Sequence, residues 1–266
     1  MNFLLEAFRA VNRGDEFYTR YNDVAKELCH YDLSGMVVYC NCDNPDTSNF
    51  VKYFKNNFKQ IGLKELLVTF NTSEPNLYRY NGIETKLYKI KSGRFQDNYD
   101  IISMSDIVIT NPPFSNGMAL EMLNTLLKSG KKFIIVAPLT IILKKGILNY
   151  FNNGILKTGY TSVGRFNSPE GDTIQSSTIW LTNMDVNKSS AFGIKYDERN
   201  YIKYDNFDAI DCSKSSIIPI NYDGYIGVPL SFMSKFNPNE YNIVGILNKP
   251  ILGGKSMMSR LIIKKK

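Results

Sequence analysis

Asp106-Ile107-Val108-Ile109-Thr110-Asn111-Pro112-Pro113-Phe114 is the stretch on which the reading of this chain turns. Its apolar, β-branched run reads as a buried strand, and the chain then passes directly into Asn-Pro-Pro-Phe. The tetrapeptide is therefore expected at the C-terminal end of a sheet strand, where open α/β sheets place their ligands. Asn111 precedes a proline, which pushes its backbone toward an extended conformation, and two successive prolines fix the turn. A helix over 117–128, closed near Gly130, is expected next, then a second buried strand over 132–138 (KFIIVAP). An isolated Asn-Pro-Pro-Phe is an ordinary turn; a strand before it and a helix after it favour a site.

The same alternation extends outward in both directions. Residues 36–42 (MVVYCNC) read as the first strand, and 48–61 as a helix with Phe50, Tyr53, Phe54 and Phe58 on one face. Ser48 serves equally well as that helix's N-cap. Residues 66–70 form the next expected strand, 78–90 a hairpin around Asn81-Gly82, and 178–182 (TIWLT) a late strand. Strands alternating with amphipathic helices predict an α/β sheet. After about residue 184 the helical period fades, and Tyr, Asp, Asn and Ser become frequent. Turn signals stand at Asp223-Gly224 and Gly253-Gly254, and a short helix is expected over 230–236. The expected division is 1–185 and 186–266, the second region small and mostly β.

Composition bounds the function. With 43% hydrophobic and 21% charged residues among 266, the chain is that of a folded protein, and no apolar run is long enough to span a bilayer. Its start, Met1-Asn2-Phe3-Leu4-Leu5-Glu6, lacks a signal-peptide pattern, so the cytoplasm is the expected location. The four cysteines are Cys29, Cys40, Cys42 and Cys212, and His30 is the sole histidine. Zinc binding and histidine triads are disfavoured, and reduced cysteines packed as small hydrophobes are expected. Net charge is +7; residues 188–266 hold 12 basic and 7 acidic side chains, the preceding 187 hold 20 and 18. A basic C-terminal third suits a polyanionic partner, and it suits solubility as well.

Asn-Pro-Pro-Phe has a physical logic if the substrate is an exocyclic adenine amino group. That nitrogen is a poor nucleophile because its lone pair is delocalised into the ring. Acceptors at both N–H groups, the Asn111 side-chain oxygen and the Pro112 carbonyl, would draw it toward tetrahedral geometry. Pro113 would hold the turn, and Phe114 would offer a flat face for an extruded base.

Four stretches carry a family resemblance. They are Asp15-Glu16-Phe17-Tyr18-Thr19, the run Val38-Tyr39-Cys40-Asn41-Cys42-Asp43-Asn44-Pro45 with Ser48-Asn49-Phe50, residues 106–114, and Gly227-Val228-Pro229-Leu230-Ser231-Phe232 with Asn237-Pro238. In this order they resemble the EcoRI-type adenine-specific DNA methyltransferases. The resemblance implies a Rossmann-like sheet that uses S-adenosyl-L-methionine and flips its target base. By position, Tyr18 and Thr19 would meet the methionine end of the cofactor, and Asn41, Cys42 and Asp43 would line its loop. Asn71 stands where relatives often carry an acid for the ribose, with Glu74 as a substitute. Arg94 replaces an acidic residue of relatives, while Phe95 and Asp97 remain available to the adenine ring. Tyr18 reads equally as a helix residue packed on the core.

For DNA contacts the expected residues are Arg165 and Phe166, in a polar loop over 164–175, and Lys255 and Arg260 near the basic C-terminus. An ordinary surface loop explains the first pair equally well. The expected partner is double-stranded DNA, the expected state a monomer, and the implied role modification beside an endonuclease that it does not contact. Two rivals remain: an amino methyltransferase of ribosomal RNA or protein glutamine, and a decayed nucleic-acid-binding module.

Overall fold

The computed structural model describes residues 18–168, 172–187 and 193–266. Asp15-Glu16-Phe17 and Pro169-Glu170-Gly171 of the stretches singled out above lie outside these residues. The chain divides into two compact units, one comprising the chain up to Pro138 with Gly159–Met184, the other Leu139–Thr158 with Asp185–Lys266.

The first unit is built on a large mixed sheet. Its strands, after the short β1 (Tyr18–Thr19), are β2 (Val37–Asn41), β3 (Glu65–Thr69), β4 (Asn76–Tyr80), β5 (Thr85–Lys89), β6 (Ile107–Thr110) and β7 (Lys132–Pro138). The late strand Thr178–Thr182, labelled β11 below, belongs to it as well, and within this unit the order is β5-β4-β3-β2-β6-β7-β11. β3, β2, β6 and β7 run parallel, whereas β4, β5 and β11 join antiparallel at the two flanks. Parallel strands buried on both faces explain why IVIT and KFIIVAP read as unbroken apolar runs. β2 has β3, the next parallel strand in sequence, on one side and β6 on the other. The chain therefore reverses its winding at the β2–β6 pair, which opens a crevice at their C-terminal ends.

Helices cover the sheet: α1 (Tyr21–Leu28), α2 (Asn49–Ile61), α3 (Tyr99–Met104) and α4 (Met118–Ser129). Val24 and Leu28 of α1 and Phe50, Phe54 and Phe58 of α2 share one core with Val38, Cys40, Ile109, Val136 and Trp180. Phe50 meets Trp180 edge-on at 5.9 Å. Alternate strand residues face the other way, and α3 and α4 pack on β2 and β7. Ser48 caps α2, accepting from the amides of Phe50 and Val51 at 3.1 and 3.4 Å. Gly130 closes α4 in the left-handed conformation, as expected from its sequence position. Asn81 closes the β4–β5 hairpin through its side chain, which accepts from the amides of Ile83 and Glu84.

A second tie holds α1 in place. The buried Glu27 carboxylate accepts from the Tyr31 hydroxyl at 2.7 Å, the amides of Tyr160 and Thr161 at 2.8 and 2.7 Å, and the Thr161 hydroxyl at 2.6 Å. Four donors compensate a charge that would otherwise be costly to bury.

The first unit also contains β9 (Arg165–Asn167) and β10 (Thr173–Gln175), which form a small sheet in the order β1-β9-β10. The second unit contains α5 (Ile147–Asn152), β8 (Lys157–Thr158) and a five-stranded sheet. That sheet comprises β12 (Lys203–Tyr204), β13 (Phe207–Asp211), β14 (Tyr225–Pro229), β15 (Tyr241–Leu247) and β18 (Arg260–Lys265), in the order β12-β13-β14-β18-β15. A hairpin, β16 (Ile251–Leu252) with β17 (Lys255–Ser256), lies beside it in sequence, and the expected short helix is a 3-10 turn over Leu230–Lys235. The C-terminal region is thus mostly β. Among the described residues, no helix is long and apolar enough to cross a membrane and no group of side chains suits a metal ion.

Candidate active site

The Asn-Pro-Pro-Phe segment leaves the C-terminal end of β6 and leads, through a 3-10 turn at Ser115–Gly117, into α4. A cleft of about 150 Å³ opens at this end of the sheet. Asn111 and Pro113 line it from β6, Cys42 and Asp43 from β2, Asn71 from beyond β3, and Tyr18 and Thr19 from β1. The strand order brings these four distant stretches to one crevice. Tyr18 lies in a strand and not a helix, paired with Asn167, while Thr19 pairs with Phe166.

Local chemistry shapes each wall. Cys42 has φ of +64°, the left-handed conformation at a non-glycine residue, which turns the chain sharply off the end of β2. Its thiol donates to the Asn41 side-chain oxygen at 2.8 Å, and burial pushes it up. The Asp43 carboxyl is buried against the Ser48 hydroxyl at 2.6 Å and the Thr110 hydroxyl at 2.7 Å. Desolvation outweighs those hydrogen bonds and pushes its pKa up to about 7. Thr110 also bonds to the carbonyl of Asn41, joining β6 to β2 just before Asn111. Asn49 donates to the Thr19 carbonyl at 2.8 Å and so fixes β1 against α2.

The expected cofactor residues separate into two sets. Tyr18, Thr19, Cys42, Asp43 and Asn71 are at the cleft. The Asn41 side chain is fully buried in the sheet, donating to the hydroxyls of Thr69 at 2.8 Å and Tyr39 at 3.0 Å. Phe95 is buried with its ring stacked on Tyr39 at 6.3 Å, and the exposed Asp97 accepts from Ser92 at 2.7 Å. Gly93 lies so close to Phe70 that an added Cβ would stand 2.2 Å from its carbonyl oxygen, which accounts for glycine there. Sequence reasoning singled out Ser48 and Asn49 with the first-strand loop without giving them a partner in the site, and it missed Thr110 as a site-building residue. Thr110 was legible only as a strand residue; its role depends on the pairing of β6 with β2.

Phe114 is half-buried and meets Phe166 edge-on at 6.2 Å. Phe166 is 1% exposed and sits in the core behind Phe114, while Arg165 beside it is exposed. In the second unit Lys255 is exposed on β17. Arg260 is 8% exposed, and its guanidinium is held by the Asp211 carboxylate at 3.1 Å and the Met258 carbonyl at 3.2 Å.

A strand-borne Asn-Pro-Pro-Phe segment at the crevice of a mixed α/β sheet defines the class of an amino methyltransferase. The chain belongs to the EcoRI adenine-specific methyltransferase family, whose model matches residues 7–98 and 79–266, and it is an adenine-specific DNA methyltransferase of that type. It is 35% identical to the type II methyltransferase M.EcoRI of Escherichia coli, over 96% of this chain and 94% of that protein. Two further relatives are the type II methyltransferases M.MpnI of Mycoplasma pneumoniae, 30% identical over 94% of this chain and 87% of that protein, and M.MgeORF184P of Mycoplasma genitalium, 26% identical over 95% and 89%. No solved structure matches the chain.

Proposed function

We propose that the chain methylates the exocyclic N6 amino group of adenine in double-stranded DNA, with S-adenosyl-L-methionine as donor, on a Rossmann-like sheet. The observation that carries this reading is the meeting of Asn111 and Pro113 with Tyr18, Thr19, Cys42 and Asn71 around one cleft at the β2–β6 crevice. The cleft suits a polar ligand. Thr19 Oγ1 is buried with no hydrogen-bond partner among the described residues, and such an atom is costly unless a ligand or water completes it. Tyr18, Thr19, Cys42 and Asn71 would hold the cofactor, with Asn41 and Phe95 supporting its walls and Asp97 at its periphery.

When bound, S-adenosyl-L-methionine supplies an electrophilic methyl group. The protein's share is to align and polarise the nucleophile. Asn111 Oδ1 and the Pro112 carbonyl accept hydrogen bonds from the two amino N–H groups, and Pro113 restrains the loop against reorganisation. Phe114, propped by Phe166, stacks on the flipped base. Among the described residues, the ionisable side chains lining the cleft are Tyr18, Cys42 and Asp43, none of them an obvious base for the amino nitrogen, and the surplus proton would leave to solvent after transfer. Residues 1–185 would carry the cofactor and the chemistry, and 186–266 target recognition, with Lys255 and Arg165 at phosphates. Buried Arg260 would act there by holding β18. The biological role would be that of a cytoplasmic, monomeric modification enzyme in a restriction–modification system, its endonuclease acting without contact.

Incubation with labelled S-adenosylmethionine and unmethylated duplex DNA, ribosomal RNA or protein separates the substrates. Label in the DNA as N6-methyladenine is the expected result. Label confined to RNA or protein would give the substrate assignment to the rival, and loss of cofactor binding would favour a decayed module.

A further inference from the structure

Asp43 sits where three elements meet, and the hydrogens around it can be counted. Ser48 Oγ accepts from the amides of Phe50 and Val51, so its own proton goes to Asp43 Oδ1. Thr110 Oγ1 contacts both Asp43 Oδ2 and the carbonyl oxygen of Asn41. A hydroxyl carries one proton and a carbonyl only accepts. An ionised Asp43 would leave Thr110 facing two acceptors with a single proton. A neutral acid completes the set: Asp43 donates to Thr110, Thr110 to Asn41, and Ser48 to Asp43.

We propose that Asp43 is a positioning residue that works as a neutral carboxylic acid, clamping the end of β2, the start of α2 and the end of β6 so that Asn111 enters the cleft in one direction. The clamp rests on the reading of Asn111 as the catalytic acceptor, since Thr110 is its chain neighbour. The surroundings favour the neutral form. The other ionisable groups against Asp43 are the Cys40 and Cys42 thiols, both pushed up by burial and by Asp43 itself. Ser48 faces it from the head of α2 and Thr110 from β6, the two bonds that hold its pKa down, and among the described residues no cation is in the set acting on it. Burial nevertheless pushes the Asp43 carboxyl up to about 7. As pH rises through that value the clamp loses its proton.

The test compares the full-length wild type, Asp43→Asn, Asp43→Ala, Thr110→Val and Asn111→Ala. Methyl-transfer kcat, KM for S-adenosylmethionine and melting temperature are followed from about pH 6 to about pH 9. An asparagine amide reproduces the neutral acid, one N–H to Thr110 and one oxygen for Ser48. Asp43→Asn is therefore expected to keep kcat within about three-fold of wild type near pH 6 and to lack the decline that wild type shows above about pH 7. Asp43→Ala and Thr110→Val are expected to lose about ten-fold or more in kcat with KM for the cofactor little changed. Should Asp43→Ala not fold, Thr110→Val carries that comparison. Asp43→Asn as inactive as Asp43→Ala while folded would overturn the clamp. A raised KM at unchanged kcat would also do so, since it would make Asp43 a direct cofactor ligand. Activity retained by Asn111→Ala would instead defeat the reading of the site, whatever the Asp43 variants do.

Discussion

At the residue scale, the site depends on buried polar groups whose partners are few and identifiable. Ser48 satisfies two amides at the head of α2 and one oxygen of Asp43, so Ser48→Ala should cost about 1–2 kcal/mol in urea unfolding. Asp43 gives stability a pH dependence of definite sign. Its carboxyl moves from 3.8 to about 7 on folding, so the native state retains a proton that the unfolded chain releases. Its contribution is complete below about pH 4, declines as pH rises to about 7 and is level above that. Thermal melts of the wild type should show this decline, and Asp43→Asn should lose it. Glu27 contributes through its hydrogen bonds: Glu27→Ala strands four donors, and a loss on the order of 3 kcal/mol or more is expected in the same unfolding assay.

At the element scale, the parallel strands were the most legible part of the chain. β6 and β7 have the extents their sequences imply, because strands buried on both faces announce themselves as apolar runs. Ser48 as N-cap and Gly130 as helix stop were legible for equally local reasons. β1 and β9 were not: two- and three-residue strands carry no period, and their pairing spans some 150 residues of chain. That pairing places Phe166 behind Phe114, a position no local pattern encodes. Phe166→Ala should therefore cost about 3–5 kcal/mol and lower kcat through a loosened Phe114. In the second unit, Arg260→Ala is expected to destabilise by about 3 kcal/mol, because it takes the cation from the largely covered Asp211 carboxylate and leaves it the Tyr204 hydroxyl. If its stability were unchanged while DNA affinity fell, Arg260 would be a phosphate contact after all.

At the scale of the whole molecule, the sequence's excess of basic residues is concentrated in its last 79 positions, and the structure gives that region a sheet, a hairpin and an exposed Lys255. On the proposed reading, a surface of this kind would bind phosphates without reading sequence. DNA affinity should fall linearly with the logarithm of salt concentration, and Lys255→Ala should reduce that slope by about one while weakening cognate and unrelated duplexes alike. A slope unchanged by the substitution would move the phosphate contact elsewhere. The crevice itself is also a whole-molecule property. It exists because the winding reverses between β2 and β6, so the residues lining it were separately visible in the sequence while their arrangement was not.

The central claim is that Asn111 polarises an adenine amino group. The most direct measurement is mass analysis of nucleosides from unmethylated duplex DNA treated with S-adenosylmethionine and either wild type or Asn111→Ala, alongside cofactor binding by both. The account predicts N6-methyladenine from the wild type, at least about a hundred-fold less from Asn111→Ala, and nearly equal cofactor affinity. Comparable methyladenine from both proteins would contradict it.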